Sequence, residues 1–148
     1  MTSPRRTSAG DRIIEPMIAL AGCSQQHRIV VAGLKAVELM LELHRRGYLR
    51  AAATANSGRA NAQYDVVLID WRHRTFTELE LGLDRLVEFL APAGVLVVWV
   101  PPQKPAATQK LRLALERRGF VIEAGVAHEC GHAFSARRRE RNPMREAA

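Results

Sequence analysis

Hydrophobic and polar positions alternate in blocks along the chain, and the blocks predict strands and helices in turn. Short apolar, β-branched runs typical of buried strands occupy residues 28–32, 64–70, 95–100 and 120–126, with a weaker, alanine-rich run at 49–54. Most of the segments between them carry apolar residues at helical spacing. The alternation predicts an α/β fold, with a mostly parallel sheet flanked by helices on both faces.

Three helices are predicted from this spacing, over residues 35–46, 75–90 and 106–118. The first ends at Gly47 and the second begins at a capping box formed by Thr75 and Glu78. The inward face of the first helix is predicted to consist of Val37, Met40, Leu41 and His44. No repeat or linker interrupts the series, so the pattern predicts one domain over residues 13–136.

Positive charge is concentrated at the two ends of the chain. The net charge is +7, and residues 1–12 contribute +2 (three Arg, one Asp) while 137–148 contribute +3 (five Arg, two Glu). Residues 1–12 and 137–148 are therefore predicted to be flexible basic tails that keep the protein in solution. Such tails also permit weak, salt-dependent contact with nucleic acid.

The cysteine content and the apolar runs indicate where in the cell the protein works. The chain has two cysteines, Cys23 and Cys130, too few for a disulfide framework. Its longest apolar run, residues 90–100, is too short to span a bilayer, and the polar start MTSPRRTSAGDR is not a signal peptide. These features predict a cytoplasmic protein that does not engage a membrane.

From Tyr64 onward the chain resembles the second half of a class I S-adenosylmethionine-dependent methyltransferase. The matching segments are YDVVLID, LAPAGVLVVWV and ERRGFVIEAG. In that family a strand ending in an acid precedes a helix, and a Pro-Gly-Gly-like turn, here Pro92-Ala93-Gly94, leads into the next strand. The resemblance implies a Rossmann-like fold that closes with a C-terminal β-hairpin, roughly Phe120–His128 and His132–Arg138.

The same resemblance identifies the positions that would contact S-adenosylmethionine. They are Ala32, Gly33 and Leu34 after the first strand, Thr54 and Asn56 after the second, and Asp70 and Trp71 after the strand YDVVLID. The family places a glycine-rich loop after its first strand, whereas VVAGLKAVE has Gly33 alone. An acid usually grips the ribose hydroxyls, whereas Thr54 and Asn56 are neutral. The family's third strand should precede Tyr64, but only a short loop is present.

A strand ending in an acid also suits response-regulator receiver domains, with Asp70 as the phosphoacceptor. That chemistry requires an acidic pair after the first strand to hold magnesium, and Val31 and Ala32 stand there instead. The missing ligands disfavour an active receiver.

The string HECGH, residues 128–132, matches a short zinc-hydrolase motif. On a helix, His128 and His132 would bind the metal and Glu129 would act as the general base. A third ligand is missing, because the extended motif requires histidine at position 138, where Arg138 stands. The favoured interpretation is a hairpin turn with no metal, and a site formed by His128, Glu129 and His132 is the alternative.

Three functional hypotheses follow from these patterns. The leading one is a degenerate methyltransferase-like domain that binds a protein or small-molecule partner without catalysis, with no cofactor expected. The second is a small active methyltransferase that uses S-adenosylmethionine with a divergent loop at Ala32-Gly33-Leu34. The third is a zinc-dependent hydrolase acting through HECGH. No catalytic residue is identified.

Overall fold

The structure, a computed structural model, describes residues 9–33, 35–54, 64–71, 75–101, 105–128 and 131–139. The helices are α1 (Ala9–Ala21), α2 (Ala36–Arg45), α3 (Phe76–Leu86) and α4 (Pro105–Arg117). The strands are β1 (Ile29–Gly33), β2 (Ala51–Ala53), β3 (Tyr64–Asp70), β4 (Leu90–Val100), β5 (Phe120–His128) and β6 (Gly131–Arg138). None of the described helices is both long and apolar enough to cross a bilayer.

All six strands belong to one sheet, in the order β2-β1-β3-β4-β6-β5. Strands β2, β1, β3 and β4 are parallel, and their register pairs Gly33 with Asp70 and Asp70 with Trp99. Strand β6 is antiparallel to both of its neighbours, β4 and β5. The predicted fold class, including the C-terminal hairpin, is confirmed.

Each face of the sheet has its own apolar core, because neighbouring residues of a strand point to opposite faces. On one face Val31, Leu68 and Val97 pack with residues of α1 and α2. On the other face Val67 and Val98 pack with the leucines of α3 and α4. The near-continuous apolar runs in the sequence reflect this burial on both faces.

Helix α1 was not predicted, and it begins at Ala9, inside the range expected to be an N-terminal tail. Its residues Ile13, Ile14 and Met17 are fully buried. Glu15, on the same helix, forms an ion pair with Arg46 at the end of α2. The segment IIEPM therefore belongs to the packed domain, although Pro16 within it argues against a helix on sequence grounds.

The predicted inward face of α2 is wrong at Val37 and Leu41, whereas Met40 is partly buried against the core as expected. Val37 and Leu41 are each 45% exposed, whereas Leu39 and Leu43 are fully buried. The buried stripe is displaced around the helix because α2 packs against both α1 and β1, and Leu39 and Leu43 meet that junction. His44 instead lies beside β2, where its Nε2 is 2.8 Å from the carbonyl oxygen of Ala51.

Helix α3 begins as its sequence predicts. The Thr75 hydroxyl accepts from the Glu78 backbone N–H at 3.2 Å, and the Glu78 carboxylate accepts from the Thr75 N–H at 3.3 Å. These two bonds satisfy donors that would otherwise be unpaired at the helix start. Leu79 and Leu83 then point into the core.

The C-terminal strand includes two arginines of the range expected to be a tail. The guanidinium group of Arg138 donates to the carbonyl oxygens of Leu90, at 3.0 Å, and Val87. It also lies 5.7 Å from the centre of the Phe120 ring. Arg137 pairs with Glu123 at 2.8 Å. The ordered domain therefore extends beyond residue 136.

Candidate functional site

The chain changes direction between β1 and β3, which lie side by side at the centre of the sheet. After β1 it passes to α2 on one face, and after β3 it passes to α3 on the opposite face. The two connections diverge and leave a crevice at the carboxyl ends of the strands, where open α/β sheets bind ligands. Gly33 and Asp70, the last paired residues of β1 and β3, lie at this point.

A cavity of about 390 Å³ occupies this crevice. Its lining includes five of the seven positions identified from the sequence: Ala32, Gly33, Thr54, Asp70 and Trp71. The other two, Leu34 and Asn56, lie outside the described residues. A cavity of this size is large enough for a nucleoside or a similarly sized ligand.

Gly33 is explained by strand packing. A Cβ atom on Gly33 would lie 2.2 Å from the carbonyl oxygen of Asp70, and the backbone has a φ of +120°. Both the contact and the conformation exclude other residues. The space that this glycine leaves is therefore already occupied by β3, and no ligand can enter it.

Asp70 and Thr54 complete the polar end of the cavity. Asp70 is only 1% exposed, and both residues already interact with other groups of the protein. Thr54 stands at the end of β2 with a hydroxyl in place of a carboxylate. The described part of the cavity therefore offers no freely exposed carboxylate at the ends of β2 and β3.

Trp71 forms a fixed wall of the cavity. Its backbone N–H donates to the carbonyl oxygen of Trp99 at 2.9 Å, and its indole N–H donates to that of Thr75 at 3.1 Å. The Phe76 ring packs against it edge-on, with the ring centres 5.9 Å apart. These contacts hold the indole in one orientation between β3 and α3.

Helix α3 supplies a second wall that the sequence analysis did not identify. Glu78, Gly82 and Arg85 line the cavity together with Leu79 and Leu86. These five positions share one side of the helix, because residues separated by three, four or seven positions lie above one another. The spacing was visible in the sequence, but the cavity that the described residues leave beside this helix was not.

The HECGH histidines point in different directions. His132 is paired with Ala127 across the hairpin, so these two side chains share a face, and the neighbouring His128 points to the other face. The ring contacts agree, since His128 lies 6.0 Å from Trp99 and His132 lies 6.0 Å from Phe134. Glu129 and Cys130 lie outside the described residues. Within the described ranges, no three potential ligands cluster around a point.

Cys23 lies against the core formed by α1 and α2. Burial raises the pKa of its thiol to about 11, because the charged thiolate is poorly solvated there. At neutral pH the thiol is therefore protonated and a weak nucleophile.

Comparison with known proteins gives a fold but no sequence family. No family model and no curated protein sequence matches the chain. Many solved structures do, among them a ribosomal protein L11 methylase from Lactobacillus delbrueckii subsp. bulgaricus, with 13% identity and a TM-score of 0.64. The match covers 87% of this chain and 78% of that one. The chain has the class I methyltransferase fold.

Two further solved structures match this chain over most of its length. A precorrin-6y C5,15-methyltransferase from Geobacter metallireducens matches over 93% of both chains, with 12% identity and a TM-score of 0.59. A 1,6-didemethyltoxoflavin-N1-methyltransferase from Burkholderia thailandensis, solved with S-adenosylhomocysteine, has 15% identity and a TM-score of 0.60. That match covers 90% of this chain and 80% of the other. At these identities the likeness concerns the methyltransferase fold alone.

Proposed function

We propose that this chain is a methyltransferase-fold protein that binds a small ligand in the cavity at the strand ends and does not catalyse methyl transfer. The observation that carries the proposal is that the cavity lies where the fold predicts it, while its polar groups do not suit the cofactor. The cavity is present at the switch point and lined by five of the seven expected positions. Among the described positions, the groups that would hold S-adenosylmethionine are replaced, buried or already engaged.

Gly33 and Thr54 are the two positions that differ most clearly from a site for S-adenosylmethionine. S-Adenosylmethionine requires close backbone approach, and the one glycine of VVAGLKAVE packs against Asp70 instead. A hydroxyl at Thr54 forms a neutral hydrogen bond where a carboxylate would form a charge-assisted one. Losing the charged acceptor costs roughly 1.5–3 kcal/mol, or about one to two decades in affinity. The described residues therefore do not fit this cofactor well.

The second candidate is an active methyltransferase with a divergent cofactor loop. The observation that favours it is the placement of Ala32, Gly33, Thr54, Asp70 and Trp71 around one cavity, as the sequence resemblance implied. This candidate requires measurable transfer of a methyl group, and the leading proposal requires none.

Zinc hydrolysis is the weakest of the three candidates. Ligands of one metal ion must converge within about 2.0–2.3 Å of it. His128 and His132 point to opposite faces of the sheet and cannot converge while the hairpin is intact.

Thermal unfolding in the presence of ligands separates the three. We expect the unfolding temperature with S-adenosylmethionine, S-adenosylhomocysteine or zinc to stay within about 1 °C of its value without ligand. A ligand raises this temperature only when its concentration exceeds its dissociation constant. A metabolite library should contain a compound that raises the temperature by several degrees. A comparable rise with S-adenosylmethionine, together with methyl transfer to any acceptor, would instead establish the active enzyme.

A further inference from the structure

Gly82 is an unexplained glycine in the middle of α3. It is a poor helix former, and a Cβ atom at this position would have no neighbour within 4 Å. Neither packing nor backbone conformation therefore requires glycine, unlike at Gly33, where both do. Gly82 lines the cavity, so the missing side chain widens the space available to a ligand.

Arg85 lies one turn further along the same side of α3 and also lines the cavity. It is exposed, and its guanidinium group forms no hydrogen bond or ion pair with the side chains or backbone of the described residues. By contrast, Arg46, Arg118 and Arg138 all bind carboxylates or carbonyl oxygens of the protein. Arg85 can therefore donate its fork of N–H groups to a ligand.

The charges of the cavity wall differ from one end to the other. Asp70 and Glu78 lie near the carboxyl ends of the strands, and Arg85 lies seven residues beyond Glu78, about 10 Å along the helix. Between them the wall is apolar, with Leu79, Leu86 and the space over Gly82. Among the described residues that line the cavity, Arg85 is therefore the group that attracts an anion, and it lies at the second end.

We infer that the cavity binds an elongated ligand with an apolar body, which lies over Gly82, and an anionic end, which Arg85 binds. This inference rests on the proposed function, because it names the chemical class of ligand that the same cavity takes. A carboxylate, a phosphate and a sulfonate share the chemistry that the Arg85 guanidinium recognises.

Two fluorescent probes of identical ring structure test the inference on the full chain. 8-Anilinonaphthalene-1-sulfonate has an aromatic body and an anionic group, and N-phenyl-1-naphthylamine has the same body without the charge. Arg85→Gln should weaken binding of the sulfonate about tenfold, the usual effect of losing a charge-assisted bond, and leave the neutral probe within about twofold. Arg117→Gln is the matched control, since Arg117 is also exposed in the last turn of its helix.

Gly82→Leu tests the place of binding. The substitution fills the cavity and improves helix propensity, so the unfolding temperature should stay the same or rise while both probes are lost. Thr77→Leu adds the same side chain to an exposed position of α3 that does not line the cavity, and it should change neither probe.

The outcomes distinguish the inference from the proposed function. If Gly82→Leu removes both probes but Arg85→Gln leaves the sulfonate unchanged, the cavity binds ligands and the anionic inference is wrong. If Gly82→Leu leaves both probes bound, the cavity is not the binding site and both proposals fail. Loss of the sulfonate alone in Arg85→Gln, with loss of both probes in Gly82→Leu, is the result we expect.

Discussion

The strand ends of β1 and β3 and the hairpin of β5 and β6 each carry a sequence pattern associated with enzyme chemistry. At the strand ends, Gly33 and Asp70 come from distant parts of the chain and meet beside one cavity. In the hairpin, His128 and His132 are four residues apart and point to opposite faces of the sheet. Closeness in sequence did not predict which groups share a site.

The difference arises from strand geometry. The carboxyl ends of parallel strands all lie at one edge, so the residues that follow them converge there. Along an antiparallel hairpin the side chains alternate between the faces, and the strand pairing places His128 opposite Gly131 rather than opposite His132. A metal motif that requires a helix is therefore divided when its residues form a hairpin.

The largest effects on stability are expected from alanine at Gly33, which lies at the strand ends, and at Gly131, which lies in the hairpin. A Cβ atom would lie 2.2 Å from the Asp70 carbonyl oxygen at Gly33, and 2.2 Å from the Val100 carbonyl oxygen at Gly131. Gly33→Ala and Gly131→Ala should each destabilise the fold, Gly33→Ala by roughly 2–5 kcal/mol from overpacking and backbone strain together. Urea unfolding measures the loss.

Gly119→Ala is the control for that experiment. Gly119 has a φ of +83° and open space around it, so only the backbone strain of about 1–2 kcal/mol applies. Equal effects at Gly33 and Gly119 would mean that the close approach of β1 to β3 contributes nothing.

The two arginines at the end of β6 give an effect of intermediate size. Arg138→Gln should reduce the free energy of unfolding by about 2 kcal/mol, because the Leu90 and Val87 carbonyl oxygens lose a charged donor. Arg137→Gln should cost about 1 kcal/mol or less, since its ion pair with Glu123 and its 3.1 Å hydrogen bond to the Ala93 carbonyl oxygen are both exposed to solvent. Urea unfolding of the two single variants and the unmodified protein measures both losses. Similar, negligible losses at both positions would return residues 137–139 to the tail.

The smallest effect is expected at the histidines of HECGH. His128→Ala and His132→Ala should each change the free energy of unfolding by less than about 1 kcal/mol, because both side chains lie at the end of a hairpin and each has one ring contact among the described residues. Chelator should not alter either value. Stoichiometric zinc in the purified protein, measured by atomic absorption and lost in both variants, would contradict the hairpin account.

Local signals predicted much of the fold. The capping box of Thr75 and Glu78, the buried strand YDVVLID and the helix stop at Gly47 each depend on residues close together in the chain, so the sequence predicts them. The face of α2 depends on which surface packs against it. Val37 and Leu41 are as apolar as Leu39 and Leu43, and the positions of α1 and β1 against the helix decide between them.

In the candidate site, too, some residues could be predicted from local sequence and others depend on tertiary packing. Asp70 and Trp71 were predictable because the end of a buried strand is a fixed place in an α/β sheet. Gly82 and Arg85 looked like ordinary surface of a helix. Spacing tells which residues share a side of α3, but an open cavity on that side results from tertiary packing.

Calorimetric titration with S-adenosylmethionine tests the central claim most directly. With Gly33 packed against Asp70 and Thr54 in place of an acid, we predict no binding heat at micromolar cofactor. Gly33→Val is unsuitable as a control because it would disrupt the sheet, so Asp70→Asn and Gly82→Leu serve instead. A dissociation constant in the low micromolar range that either variant abolishes would contradict the account and make the active methyltransferase the better description.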